Sequence, residues 1–270
     1  MLTQLGQTSP YAPEVMTLGP TSPSSVMAYV YTGGTTKASK CVTVTHAMAL
    51  WEAENYSIAL GGNVGVGDKM LQFSTLYWGA AVFGQISLGL SVGACVCIGG
   101  GSSGAPAASD AMRQLVEDVR TFEITVLGVV PAQLQGAWPG GPATVPSGLR
   151  MIVFWADKCP VDVSRTWRAA GLRVVDLLIA SEYWLALFSD CSTWSDDGVE
   201  KHVYRRLPAL DARFLVQTGN DNGGDVQFRD ALPGEVGKMH LAGPTTSPGY
   251  VCPDGRVSVE FHSAVRRVDG

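Results

Sequence analysis

Charge is scarce in this sequence. Only 16% of its 270 residues are charged, against 46% hydrophobic, and 24 acidic side chains outnumber 19 basic ones for a net charge of −5. A protein that neutralises nucleic-acid phosphates needs a basic patch, so this balance argues against such a partner. The hydrophobic share excludes a disordered chain and suffices, at this length, for the core of one large domain or two small ones. Zinc-finger spacing is also lacking. Cysteines stand at 41, 95, 97, 159, 191 and 252, and no second pair accompanies Cys95 and Cys97. We read them as reduced, mostly buried thiols, which suits a cytoplasmic protein. Met1–Pro20 has neither the basic start nor the apolar run of a secretory leader.

No charged residue occurs from Met70 to Ser109. The most apolar part, Val82–Ile98, is interrupted by Gln85, Ser87, Ser91 and three glycines and has no Lys/Arg asymmetry at its flanks. A membrane span needs about 20 strongly apolar residues, so a buried helix followed by a buried strand is the better reading.

Residues 1–25 are rich in Thr, Ser and Pro and read as a linker or ragged start. From there the pattern predicts strands at Val26–Tyr31, Val42–Thr45, Lys69–Ser74, Ala94–Ile98, Ile124–Val130, Leu149–Trp155 and Arg173–Leu178. Helices are expected over His46–Leu60, Trp78–Leu90, Ala111–Phe122 (with Ser109 or Asp110 as N-cap) and Val161–Ala170. Strand–helix–strand alternation implies parallel β-structure in a layered α/β core over residues 26–198. Residues 199–270 carry strands and polar turns such as Asn220–Asp225, and read as a smaller, mostly-β subdomain.

The most informative segment is Ala28–Lys40, followed by Val42–His46. A strand feeds a loop holding Thr32, Gly33, Gly34, Thr35 and Thr36, with Lys40 at its end. Glycines permit close backbone approach, successive N–H groups and threonine hydroxyls can wrap phosphate oxygens, and a lysine adds a point charge. This loop has neither the G-x-x-x-x-G-K-S/T spacing of a Walker A motif nor the G-x-G-x-x-G spacing of a dinucleotide fingerprint. An ordinary flexible loop is the alternative.

The segment resembles the phosphate-binding signature of adenylate-forming enzymes, Y-T-S-G-T-T-G-K-P-K-G-V followed by T-H. Thr32, Gly34, Thr35, Thr36, Lys40, Val42, Thr45 and His46 stand in place, and Gly33 replaces the serine. Further resemblances follow in family order: Leu71–Leu76 with Val82 and Phe83, Ile124–Pro131, Leu149–Phe154, and Val236–Pro244 with Gly249 and Tyr250. Their wording is that of nonribosomal-peptide-synthetase adenylation domains more than of CoA ligases. The resemblance implies the large lobe of such a domain, lacking both ends, that joins a carboxylic acid to ATP with Mg²⁺. A carrier protein or neighbouring synthetase domains would be partners, and nucleic acid and membrane would not.

By the same resemblance Lys40, Ser181 and Glu182 are catalytic, with Glu182 the Mg²⁺ ligand and Ser181 supporting the phosphates. A solvated helix-start carboxylate is the alternative for Glu182. Leu178 and Ile179 replace the Tyr and Gly of the family motif, and Ala264 replaces the aspartate that holds the ribose. The substrate pocket carried over comprises Gly79, Ala80, Phe83, Gly128, Val153, Trp155, Leu177, Leu185 and Ala186. Gly79 stands where amino-acid-activating members keep an aspartate for the α-ammonium, and no position is charged. An unpaired buried ammonium costs several kcal/mol, so an apolar acid without an α-amino group is expected. The alternative is a pocket filled by Trp155 and Phe83 that binds nothing.

Overall fold

A computed structural model describes residues 21–32, 40–76, 78–100, 108–193, 203–220, 226–252 and 254–258. The central element is a seven-stranded sheet of order β4-β3-β5-β6-β7-β8-β9. Its strands are β3 (Lys69–Gln72), β4 (Cys95–Ile98), β5 (Val126–Val129), β6 (Met151–Phe154), β7 (Arg173–Ala180), β8 (Trp184–Asp190) and β9 (Arg205–Arg206). From β4 to β7 the pairing is parallel, and β8 and β9 add antiparallel. All four residues of β5 and of β6 are buried, as befits parallel strands covered on both faces.

Successive side chains point to opposite faces and feed two different cores. On one face Met151, Val153 and Trp155 pack with Tyr56 and Ala59 of α1 (His46–Ala59), its C-cap Leu60, and Leu88 of α2 (Leu88–Ser91). On the other, Ile152 and Phe154 meet Leu115 and Val119 of α3 (Ala108–Thr121), Leu134 of α4 (Pro131–Ala137), and Val163 and Trp167 of α5 (Val161–Ala169). The molecule is thus a helix–sheet–helix sandwich around one sheet.

Two smaller sheets complete it. One has the order β1-β2-β13-β14, from β1 (Val26–Tyr31), β2 (Cys41–Thr45), β13 (Tyr250–Val251) and β14 (Val257–Ser258). The other flanks β10 (Asp211–Asn220) with β11 (Val226–Asp230) and β12 (Lys238–Ala242). The predicted α/β class is the observed one. Strands after residue 200 therefore serve three sheets: β9 extends the large one, β10 to β12 stand together, and β13 joins β2.

Several predicted boundaries move. The helix expected over Trp78–Leu90 is a π-helical segment, Ala80–Ser87, running straight into α2. Helix α3 begins at Ala108, so Ser109 and Asp110 lie inside its first turn rather than capping it; an acid there still complements the helix dipole. Strand β7 continues two residues past Leu178, because the apolar Leu178–Ala180 stretch pairs with β8. Among the described residues no helix is long and apolar enough to cross a membrane.

Candidate functional site

Strands β7 and β8 form a hairpin whose three-residue tip is Ser181, Glu182 and Tyr183. Ala180 pairs with Trp184, and the Tyr183 amide donates to the Ala180 carbonyl at 3.2 Å. Such loops close with a residue in the left-handed region, and Trp184 takes that place at φ +50°. For a bulky side chain this is strained, and the strain is held by surroundings: Trp184 is buried, edge-on to Phe83 at 3.7 Å between ring centroids. The tip lies beyond the carboxyl end of parallel strand β7, the side of an open α/β sheet where ligands bind.

Residues far along the chain hold this tip. The Ser247 amide donates to the Glu182 carbonyl at 2.8 Å, and its hydroxyl donates to the Thr43 carbonyl of β2 at 2.7 Å. Gly249 follows at φ +153°, where a side chain would put its Cβ 2.1 Å from the Ser258 carbonyl oxygen, so only glycine fits. Tyr250 is thereby set on β13 beside β2, and its hydroxyl donates to Glu182 Oε1 at 2.7 Å. Burial first, then this bond to a carboxylate, pushes the Tyr250 pKa up, so the phenol stays a donor.

Lys40 completes the group. Its amide donates to Thr32 Oγ1 at 3.3 Å, and the Thr32 amide donates to the Lys40 carbonyl at 2.9 Å, closing the base of the loop. The Lys40 ammonium lies 4.5 Å from the centroid of the Tyr250 ring. Lys40 and Glu182, 142 positions apart in sequence numbering, thus both touch one tyrosine, the first over its ring and the second at its hydroxyl. Gly33, Gly34, Thr35 and Thr36 lie outside the described residues, as does Ala264. Ser181 sits at the hairpin tip beside Glu182.

The carboxylate of Glu182 has one oxygen on Tyr250, and the other carries no hydrogen bond among the described residues. Mg²⁺ in nucleotide sites takes one or two carboxylates plus phosphate and water oxygens, so this donor suits a metal held largely by ATP. Among the described residues no three His, Cys, Asp or Glu side chains gather into a protein-only metal cage.

The nine predicted pocket positions divide between two neighbouring cores. Val153, Trp155, Leu177, Leu185 and Ala186 lie in the core beneath α1, with Ala80 packed against it. Gly128 joins them through Trp155, whose Cη2 sits 1.9 Å from where a Cβ on Gly128 would be. Phe83 belongs instead to the cluster of Val30, Val42, Val44, Met48 and Trp184. Gly79 faces that cluster: a Cβ there would lie 3.8 Å from both Trp184 and Val30. Polar support comes from Gln85, buried in the π-helical segment, which donates to the Gly128 carbonyl at 3.3 Å and accepts from the Phe73 amide at 3.3 Å.

The AMP-binding enzyme family model matches residues 3–251. This chain belongs to that family. Among curated relatives, nonribosomal peptide synthetase GRA1 of Gibberella zeae is 28% identical over 263 residues, covering 96% of this chain and 3% of the relative. Novobiocin biosynthesis protein H of Streptomyces niveus is 24% identical, covering 86% of this chain and 35% of the relative. A crystal structure of the nonribosomal peptide synthetase FmoA3 (S1046A) superposes with TM-score 0.70 at 21% identity, covering 93% of this chain and 26% of that one. The AMP-binding chain therefore spans 3% to 35% of the length of these relatives.

The sequence motifs point to Glu182 and Lys40 but give no role to Tyr250, although Gly249-Tyr250 belongs to one of them. They give none to Glu52 and Tyr56 of α1 either. The helix buries Met48, Glu52, Tyr56 and Ala59, a spacing of four, four and three that the sequence displays.

Proposed function

We propose that this chain forms the ATP- and acid-binding part of an adenylation module, which activates a carboxylic acid as its acyl adenylate. A carboxylate oxygen of the acid attacks the α-phosphorus of ATP, the bond from that phosphorus to the β-phosphate bridge breaks, and pyrophosphate leaves with the electron pair. The observation that carries this reading is the convergence of Lys40, Tyr250 and Glu182. A cation at the end of a Gly/Thr loop lies over the ring of a tyrosine whose hydroxyl binds a hard carboxylate. Gly34, Thr35, Thr36 and Lys40 would hold the β- and γ-phosphates, with Ser181 supporting them. Mg²⁺ on Glu182 would neutralise phosphate charge. The protein's part is positioning and charge stabilisation.

The acid is one without an α-ammonium, since Gly79 faces Trp184 and Val30 rather than a carboxylate. Partners would be a carrier protein or neighbouring synthetase domains, in the cytoplasm where ATP is supplied.

A second reading, a module that has lost catalysis and serves as a scaffold, is favoured by one observation. Leu178 and Ile179 continue strand β7, pairing with Leu187 and Leu185, where the family motif has a tyrosine and a glycine. The two readings separate on pyrophosphate exchange with matched acids such as phenyllactate and phenylalanine. Exchange driven by phenyllactate and abolished by Glu182→Gln supports activation. Exchange driven better by phenylalanine refutes the pocket reading, and none with any acid leaves the scaffold.

Tyr250→Phe keeps the ring under Lys40 and removes the bond to Glu182. It should lower thermal stability by about 1 kcal/mol and weaken Mg·ATP binding in calorimetry. Unchanged nucleotide affinity would remove Tyr250 from the site.

A further inference from the structure

Between α1 and the large sheet lie three buried polar groups without hydrogen-bond partners: both carboxyl oxygens of Glu52, the Tyr56 hydroxyl and the Trp155 indole N–H. Glu52 is 1% exposed and the two aromatics are fully buried. Glu52 and Tyr56 are neighbours, one helical turn apart on α1. A methyl placed on Gly84 would lie 3.3 Å from the Tyr56 hydroxyl and 3.0 Å from Trp155 Cζ3, so that hydroxyl and the benzo edge of the indole abut the same glycine. The indole then extends to Gly128. From the other side the Leu185 amide faces the Glu52 carboxyl, yet neither oxygen closes a hydrogen bond of normal geometry.

A buried polar group left without a partner is costly, and a carboxyl more so than a hydroxyl. Leucine at position 52 would continue the apolar stripe of Met48, Tyr56 and Ala59 at lower cost. Such an arrangement makes physical sense where a ligand supplies the missing partner. The location fits: Gly128, Trp155 and Leu185 are all positions of the proposed acid pocket. Trp155 leans against two glycines, so an indole that turned aside would leave a slot floored by glycine backbone, with Glu52 and Tyr56 at its end. No described cationic side chain pairs with Glu52. The complement to an unpaired carboxyl is a cation, and the rim of an indole and a phenol offers it aromatic faces as well.

We infer that Glu52, assisted by Tyr56, is a specificity-determining residue that receives a primary amine carried on the far end of the activated acid. This rests on the acid-activation reading and adds to it a substrate class, ω-amino acids. The amine donates hydrogen bonds to the Glu52 carboxylate and the Tyr56 oxygen. The amine enters as an ammonium and the proton that Glu52 gives up is released to solvent, so the buried pair carries no net charge. No bond is made or broken at this end of the substrate.

The test compares unsubstituted, ω-hydroxy and ω-amino acids of three to six carbons, with Mg·ATP, by calorimetry and pyrophosphate exchange. Wild type should prefer the best ω-amino acid over its unsubstituted counterpart by at least about tenfold. Glu52→Gln should remove most of that preference while binding the unsubstituted acid within about twofold of wild type. A hydroxyl as good as the amine, or a preference that survives Glu52→Gln, overturns the assignment while leaving acid activation intact. Failure of every acid to bind overturns both. Should the variant not fold, the infrared carbonyl band of protonated Glu52 in wild type serves instead. Loss of that band on adding the ω-amino acid supports the pairing, and its persistence in the saturated complex refutes it.

Discussion

Glu52 also sets the pH dependence of stability. Burial raises its pKa from 4.5 to about 8, with the Leu185 amide opposing the shift slightly. In the unfolded chain the same group ionises near its ordinary value. Between those two pH values the folded protein holds a proton that the unfolded chain releases, so stability falls as pH rises. The contribution is fully present below pH 4.5 and is lost by pH 8. At 1.36 kcal/mol per unit, the whole span is worth about 5 kcal/mol, a large part of a typical folding free energy. Other buried acids leave this window readable. Asp176 is pushed up to about 6, chiefly by burial, so its loss of the same sign is nearly complete by pH 6. Asp190 has a lowered pKa, because bonds from Ser192 and Arg173 outweigh its burial, and so acts with the opposite sign at lower pH.

Urea denaturation of wild type and of Glu52→Gln at pH 5, 6, 7 and 8 checks this. Wild type should lose about 1.4 kcal/mol per pH unit between 6 and 8, at constant m-value, and the glutamine variant should not. Glu52→Leu should also remove the slope and exceed wild type by about 3–5 kcal/mol at pH 8. Parallel slopes for wild type and glutamine would mean that Glu52 ionises as an ordinary carboxylate. The account of an apolar, partnerless site would then be wrong.

Two substitutions probe the framework around the site. Gly128→Ala places a methyl 1.9 Å from Trp155 Cη2, so the indole must shift; a loss of about 1–3 kcal/mol is expected by chemical denaturation, with a changed near-ultraviolet signal from Trp155. Asp68 accepts from Arg150 Nε at 2.9 Å, Thr125 Oγ1 at 2.7 Å and the Gly65 amide at 2.9 Å. Asp68→Ala strands those donors and should cost about 2–3 kcal/mol. Burial alone would raise the Asp68 pKa, but these bonds outweigh it and hold the group below its ordinary value. Its contribution is therefore present above that ordinary value and disappears as pH falls through the depressed one, a loss on acidification that the alanine variant should lack.

What the sequence displays depends on how local the cause is. Strand β6 announces itself because both of its faces are buried, so Met-Ile-Val-Phe reads as an unbroken apolar run. Helix α1 is legible from its cap, where Thr45 Oγ1 accepts from the Met48 amide at 3.3 Å. The stripe of Met48, Glu52, Tyr56 and Ala59 is equally local, and it places Glu52 on the inner face. That no partner waits there is a fact about Leu185, Gly84 and Trp155, each contributed by a different element. The π-helical form of Ala80–Ser87 is likewise invisible, because its apolar periodicity does not distinguish it from an α-helix over so short a run.

The convergence of Lys40, Tyr250 and Glu182 is the extreme case. The tyrosine reaches the carboxylate across 68 positions, and no periodicity carries information over that distance. What carries it is a sheet. Strand β13 pairs with β2 in the register Tyr250–Val42 and Val251–Cys41, which puts Tyr250 two residues from the Lys40 end of the loop. Ser247 then couples the same segment to both the Glu182 carbonyl and the Thr43 carbonyl. Strand β2, next to Lys40, and the hairpin bearing Glu182 are therefore held together by a strand drawn from far along the chain. Gly249 is the hinge of that arrangement, since its φ of +153° and its contact with Ser258 admit no side chain. A family motif that joins a glycine to a tyrosine at this point is thus a structural instruction. It specifies a backbone turn that only glycine makes, followed by the aromatic that bridges the cation and the carboxylate.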